Sequence, residues 1–512
     1  MTIEFMQNYH VYLTPLSPIH IGCGEDFEPT NYVIDKGVLY HFEPSQLYLS
    51  KEQKNELLNL SQKCDLLSIQ RFFKKNAKQA IPFSHYITSV SIGIEKEWEE
   101  RIGQVAQREN SGKKVISNLA IERNAYLVDI NEPYIPGSSF KGALATTLLD
   151  KTHRESGNLN TKEKHKDLLK KYLGEFKDSK LRLVKFGDFM PTQTIQSQVY
   201  YSLNFKKQRS KTGILGKGIP LRRECIVAGQ FHSFKSELSL WKDAPLTIKE
   251  YFKLLTEYYL PIFEKECEQL LIHRLISPVW VKEVKTLLSN GNVALVRLGK
   301  NGADSKIYQA KGMARIKIMT GKSKESKYLD RSTTVWLAGN NNNQKSELYP
   351  FGWALLEIDN GQENEALKNW CEKQSINQYF DKKAFFTQQA KIKQQKQAEL
   401  EAELTKKQAK EAQRLAEEQT KQALLSSASA NQLLVIQFIE KLENTRERQA
   451  DTTGSSLLKE AMELIESAVD WTVDDQCYLK QNLNIDLLKS KIDFKKKDTD
   501  KNIKKKLNKI AE

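Results

Sequence analysis

The spacing of apolar and polar residues changes period several times along the chain, and those changes divide it into segments. HVYLTPLSPIHIG (10–22) alternates around two prolines, which fits an edge or bulged strand because proline withholds an amide donor. NYVIDKGVLYHF (31–42) sets apolar residues on both sides of Asp35-Lys36-Gly37 and predicts a hairpin that turns there. Residues 44–80 follow a helical period, and a polar, irregular stretch runs on to about 125. YLVDINEPYIPGSSFKGALATTLLD then predicts a strand leading into a helix. Ser138 or Ser139 is its expected cap, and Ala143, Leu144, Leu148 and Leu149 form its apolar face. Residues 151–180 read as a lysine-rich helical insertion. LRLVKFGDFMP (181–191), QSQVYYSLNFKK (196–207) and RRECIVAGQFHSFKSELSL (222–240) predict strands, and a long helix is expected over 247–275. Short strands return in NVALVRLG, ARIKIMTG, STTVWLAG and PFGWALLEI, the last ending near Ile358.

The pattern breaks at about residue 381. The next forty-odd residues are rich in Lys, Gln, Glu and Ala and lack Gly and Pro, which favours a long solvent-exposed helix. Their apolar positions are too sparse for a heptad seam. SSASAN (426–431) marks a hinge, and two amphipathic helices follow with Asn431 and Ser455 as expected caps. A third is expected in YLKQNLNIDLLKSKI. The organisation expected is an α+β body over 1–380, a charged helix or linker over 381–430, a small helical domain over 431–494 and a basic tail over 495–512. The order of elements in the body suits a ferredoxin-like sheet.

Composition narrows the partner. The chain has 512 residues, 39% hydrophobic, with a formal net charge of +15. That excess favours an anionic partner, nucleic acid first and an anionic membrane surface second. There is no run of 18 apolar residues, so no membrane span is expected. The opening MTIEFMQNYHVYL carries Glu4 and lacks a basic n-region, so no signal peptide is expected. Cys23, Cys64, Cys225, Cys267, Cys371 and Cys477 are scattered without a CxxC pair, as suits reduced thiols in a cytoplasm. The eight histidines form no HExxH or HxH cluster. No metal and no cofactor are expected.

Four stretches carry candidate chemistry. Pro136-Gly137-Ser138-Ser139-Phe140-Lys141-Gly142 is a turn that becomes a helix. A helix start offers unpaired N–H groups and the positive end of the dipole, so it attracts phosphate, and Lys141 adds a mobile cation. The alternative is an ordinary capped helix. KKQRSKTGILGKGIPLRR (206–223) is the most basic flexible loop, with Lys211, Lys217, Arg222 and Arg223 as candidate RNA contacts. VRLGKNGADSKIYQAKGMARIKIMTGK (296–322) interleaves glycines with Arg297, Lys300, Arg315 and Lys317. Glycine turns let backbone amides approach phosphates that such cations neutralise; the alternative is a basic hairpin without a ligand. In HIGCGEDFE, His20 precedes Glu25, Asp26 and Glu28 in what reads as one short loop. It is the only candidate for metal-free acid–base RNA cleavage, against a buried histidine beside solvated acids.

The joint order of HIGCGEDFEPTNYVID, YIPGSSFKGALATTLL, ECIVAGQFHSF, VRLGKNGADSKI and PFGWALLEI resembles the RAMP superfamily of CRISPR-associated proteins. IPGSSFKGAL is close to that family's most specific motif, and the resemblance covers roughly residues 10–358. Within the superfamily the detail is most similar to the fifth subunit of type III-A (Csm) effector complexes. The resemblance implies a ferredoxin-like (RRM-like) core with insertions; it does not extend over 381–512, where composition alone predicts an all-α extension. It implies a non-catalytic subunit that binds guide RNA (crRNA), caps its 3′ end and supports its maturation in antiviral defence. Backbone RAMP subunits and a maturation nuclease are the implied protein partners, in the cytoplasm and away from membranes. Gly137, Ser138, Ser139, Lys141 and Gly142 would then hold guide RNA or the core turn behind it. Related backbone subunits cleave target RNA with an aspartate after the first strand, which singles out Asp26; the loop here lacks the usual glycine-rich spacing, and cleavage is not expected. The competing readings are a guide-processing endoribonuclease of the same superfamily using His20, a terminal subunit of a type III-B (Cmr) complex, and a basic scaffold outside CRISPR.

Overall fold

The computed structural model describes residues 5–108, 114–116, 119–157, 165–175, 177–210, 213–216, 219–289, 293–306, 316–318, 327–329, 331–374, 380–445, 449–450, 456–494 and 497–510. In chain order, the strands that matter below begin with β1 (Met6–Pro15), β2 (Gly22–Phe27), β3 (Tyr32–Asp35), β4 (Val38–His41), β5 (Tyr86–Val90) and β6 (Ile121–Asn124). They continue with β7 (Val184–Phe186), β8 (Ser197–Ser210), β9 (Leu221–Ile226), β10 (Phe234–Trp241), β11 (Val293–Arg297), β12 (Thr334–Gly339) and β13 (Trp353–Ile358). The helices named are α1 (Ile92–Arg101), α2 (Gly137–Glu155), α3 (Ile248–Ile272) and α4 (Pro278–Leu288), then α5 (Lys382–Ser427), α6 (Ala430–Asn444) and α7 (Lys497–Leu507).

The chain divides into two compact units, 1–394 and 395–512. The first is a mixed α+β body built on two sheets. One sheet has the order β7-β10-β1-β13-β11 with every neighbour antiparallel. Its register places Val11 opposite Ser236 and Ile358, and Leu13 opposite Phe234 and Leu356. The alternation of HVYLTP is thus a strand with Val11 and Leu13 fully buried. The other sheet runs β2-β6-β9-β8-β5-β4-β3, with β12 also on β8, and it contains parallel pairs as well as antiparallel ones. The hairpin of β3 and β4 turns at Lys36 and Gly37, both at positive φ, 51° and 75°, as a tight right-twisting hairpin requires.

The segment 222–240, expected as one strand, is two. β9 closes in one sheet at Ile226, and β10 opens in the other at Phe234. Between them Gly229 takes φ 81° and its N–H donates to Pro15 O at 2.8 Å. A hydrophobic run keeps its period while the chain changes sheet, so pattern alone does not reveal the step. HIGCGEDF also differs from expectation, because Glu25 and Asp26 lie in strand β2 rather than a loop.

Helices α2 and α3 accompany the first sheet. Thr247 and Glu250 close a capping box at the start of α3, which satisfies two of its orphan amides. Tyr251, Leu255, Tyr258, Tyr259, Phe263 and Cys267 bury one side of it, around a fully buried Trp353 whose ring meets Phe263 edge-on at 5.1 Å. The body extends past residue 380. Lys382 Nζ, buried, donates to Ile195 O at 2.6 Å, and Gln389 Nε2 donates to Ser84 O at 2.5 Å.

The second unit has its own aliphatic core of Val435, Leu442, Leu457, Ile465, Leu479, Leu488, Ile503 and others. Its first helix, α6, is capped by Ser429 in a capping box with Gln432, not by Asn431, whose amide instead donates to Asp475 at 2.9 Å. Ser455 lies outside the described residues. The terminal basic segment forms α7, and Ile503 and Ile510 are fully buried. Its lysines follow a helical period that leaves an apolar side. Among the described residues, no helix is long and apolar enough to cross a membrane.

Candidate nucleic-acid interface

The helix start at 136–142 is built by three residues and presented by three others. The cap of α2 is Pro136, with no side-chain hydrogen bond from Ser138 or Ser139; proline fixes the φ of the turn and the serines fall inside the helix. Gly137 is buried, and a Cβ there would stand 2.5 Å from Gly187 O. Glycine is required because two backbones meet. Phe140 is buried between Phe186 and Phe189, ring centroids 5.3 and 5.6 Å away. Ser138, Lys141 and Gly142 are exposed, and Ser139 is half-buried. The N–H of Gly137 donates to Asp188 Oδ1 at 2.7 Å, so an internal carboxylate already occupies the positive end of this helix. That amide of the helix start is therefore engaged within the chain. What remains available is the outward turn with Lys141.

The second candidate region converges on Glu122, in β6. Its carboxylate accepts from Arg223 Nε at 2.8 Å and from Lys300 Nζ at 2.9 Å, with His20 Nε2 at 3.4 Å. His20, Arg223 and Lys300 hold this carboxyl well below the usual range even though burial opposes them. His20 is fully buried and its Nδ1 lies 2.7 Å from Glu224 O. Arg223 also donates to Asn301 Oδ1 at 2.6 Å. Lys300 is half exposed. Asp26 is exposed and pairs with Glu122 in register.

Two further arginines are internal. Arg222 clasps Glu97 with Nε and Nη2 at 2.9 and 2.6 Å; burial opposes charging of that carboxyl, but Arg222 and Tyr201 hold it below its usual range. Arg297 is 4% exposed, donates to Glu266 Oε2 and Phe351 O at 2.8 Å each, and lies 4.9 Å from the Trp353 ring centroid. Arg222, Arg223 and Arg297, expected as RNA contacts, each place the guanidinium on a carboxylate: Glu97, the half-buried Glu122 and Glu266. Lys211, Lys217 and Arg315 lie outside the described residues, and Lys317 is in the short strand Ile316–Ile318 with its side chain outside them.

Sequence reasoning missed Glu97, Glu122 and Glu266, which hold the three arginines, Asp188, which accepts from the Gly137 N–H, and Glu224, which accepts from the Tyr86 hydroxyl and the Asn124 N–H. It also missed Arg123, whose guanidinium lies 3.4 Å from the Tyr126 ring centroid and 4.6 Å from that of Tyr86. Nearby, burial with His85 and Arg123 pushes His41 down to about 3. Apart from Arg123 and Tyr126, three residues apart in the chain, the partners lie tens to hundreds of residues away and leave no local signal.

A family model described as the RAMP superfamily matches residues 12–424. The chain belongs to the RAMP superfamily. Among solved structures it is similar to a chain of a "Csm-crRNA-target RNA ternary complex in type III-A CRISPR-Cas system", at 15% identity and TM-score 0.43, covering 69% of this chain and 100% of that one. It is also similar to Csm5 of T. onnurineus, at 15% identity and TM-score 0.42, covering 68% of this chain and 99% of that one. No curated protein matches the chain.

Proposed function

We propose that this protein is a non-catalytic guide-RNA-binding subunit of a type III CRISPR effector complex, of the type III-A kind that caps the crRNA 3′ end. The observation that carries the reading is membership of the RAMP superfamily over 12–424. The PGSSFKG turn supports it, because Pro136, Gly137 and Phe140 build a rigid helix start that projects Ser138 and Lys141 outward. The first sheet is read as a ferredoxin-like unit. Taken in chain order, with other elements between them, β1, α2, β7, β10, α3 and β13 make a strand-helix-strand-strand-helix-strand series, and their order β7-β10-β1-β13 is the order that unit needs, with β11 added at the edge.

Non-catalysis is supported by His20. Fully buried and held on Glu224 O, it offers no ring nitrogen to a substrate. Backbone RAMP subunits of the complex and a maturation nuclease are the partners this reading implies. Binding would be electrostatic, falling by roughly 10³–10⁵ between 50 and 200 mM salt if six to ten phosphates are met. The test is to purify the protein from cells carrying its genomic neighbourhood and sequence the RNA that comes with it. Guide RNAs with a uniform repeat-derived 5′ end, and with 3′ ends altered when this chain is deleted, are expected. Random RNA, no RNA, or cleavage of repeat RNA by the chain alone would overturn the reading.

A further inference from the structure

The body holds a cleft of about 650 Å³ where the two sheets meet, and its lining includes no residue of the PGSSFKG turn or of the Glu122 cluster. Its back wall is aromatic. Trp280, in α4, is fixed by a hydrogen bond from its indole N–H to Leu16 O at 3.0 Å. Tyr349 stands perpendicular to it, ring centroids 6.0 Å apart, and Tyr200 of β8 completes the wall. An amide pair lies beside it, with Gln198 Nε2 donating to Asn340 Oδ1 at 3.1 Å. That bond leaves the Gln198 Oε1 acceptor and the Asn340 Nδ2 donor for a ligand among the described residues. Two lysines, Lys36 at the tip of the β3–β4 turn and Lys373, line it together with one carboxylate, Glu347. Both lysines are exposed.

The walls are pinned. The Asn340 loop abuts the start of α1, where the Gly93 N–H donates to Asn340 O at 3.1 Å and a Cβ on Gly93 would stand 2.6 Å from that oxygen. The Lys36 turn is held by the Gly37 N–H donating to Glu95 Oε1 at 2.8 Å. A preformed cleft costs little to order on binding. An aromatic wall, one free acceptor beside one free donor, and two mobile cations are the complement of a base face, a base edge and a phosphate. The polar lining does not suit a lipid or an extended apolar peptide.

We propose that this cleft takes a single unpaired nucleotide, with its base on the Trp280–Tyr349 wall, its edge on Gln198 and Asn340, and its phosphate on Lys36 and Lys373. The proposal deepens the guide-RNA reading and rests on it for the source of the nucleotide. The experiment uses the full-length protein with single-stranded RNA carrying 4-thiouridine, and with AMP and UMP as free nucleotides. A Lys36→Asn, Lys373→Ala double variant keeps the turn, because asparagine tolerates positive φ. The expected result is crosslinking to peptides containing Tyr349 or Gln198, and a salt slope lower by about two in the double variant. Tyr349→Ala should weaken RNA binding by roughly tenfold. RNA binding with an unchanged slope and crosslinks elsewhere would overturn the cleft and leave the RNA reading standing. Loss of AMP or UMP binding in the double variant, by a chain that ignores RNA, would support the cleft and overturn the guide-RNA reading. Absence of binding to both probes would overturn both.

Discussion

The helix start at 136–142 and the arginines at 222, 223 and 297 carry the same sequence signature, cations flanked by glycines, and the fold treats them in opposite ways. The arginine side chains are 12%, 8% and 2% exposed, each against a carboxylate. Lys141 is exposed and has no ion pair among the described residues. The difference follows from where the strands bring acids. Arg223 of β9 meets Glu122 on the neighbouring strand β6, whereas Arg222 meets Glu97 of helix α1 and Arg297 meets Glu266 of α3. A guanidinium is planar, weakly hydrated and forked, so it survives burial against a carboxylate better than an ammonium does. Each such pair is internally neutral, so the net charge of +15 is carried by cations other than these three arginines.

The sharpest way to break this contrast is Arg297→Ala. It would strand Glu266 as a buried, unpaired carboxylate and remove packing from the Trp353 ring. A loss of about 3–5 kcal/mol is expected for breaking one side of a buried pair, read as a lower urea midpoint at unchanged slope. The salt dependence of RNA binding by the remaining folded protein should not move. A loss below about 1 kcal/mol, or a changed salt slope, would place Arg297 with Lys141 rather than with the core.

The two glycines of the motif sharpen the other side of the comparison. Gly137→Ala puts a Cβ against Gly187 O at 2.5 Å, backbone against which nothing flexible can yield, and a cost of about 1–3 kcal/mol follows. Gly142→Ala meets nothing within 4 Å. It lies within a helix, so alanine should stabilise by about 0.5–1 kcal/mol. Thermal melts of the two variants should move in opposite directions. If both fell by similar amounts, the division of the motif into a building half and a presenting half would be wrong.

What was legible in the sequence was local. The β3–β4 turn at Lys36-Gly37, the capped helix from Thr247 and the apolar strand at Trp353 were each readable from a few adjacent residues. So was the family resemblance, because it rests on the order of several short contiguous segments, PGSSFKG among them. Pairing was not legible. The split of 222–240 between two sheets and the partners of His20, Arg223 and Arg297 depend on which distant segments become neighbours. Pro136 as cap in place of a serine also escaped, since the choice was made by Asp188 and Gly187, about 50 residues on. Local chemistry marks where a motif is; long-range pairing decides which of its atoms are left to act.

Lys141→Gln gives the smallest effect and isolates that last point. The side chain is exposed at the presenting turn of α2, so stability should stay within about 0.5 kcal/mol of the parent. If Lys141 meets a phosphate, the salt slope of RNA binding should fall by about one, equally for every RNA sequence. Arg222→Gln is the matched control: it breaks the clasp on Glu97 and should lower stability while leaving the slope alone. The pair of measurements matters more than either, because a cation spent on folding and a cation spent on binding both weaken an RNA complex when removed. Only the second does so in proportion to the logarithm of the salt concentration, and an unchanged slope for Lys141→Gln would move the RNA-facing surface away from the motif that defines the family.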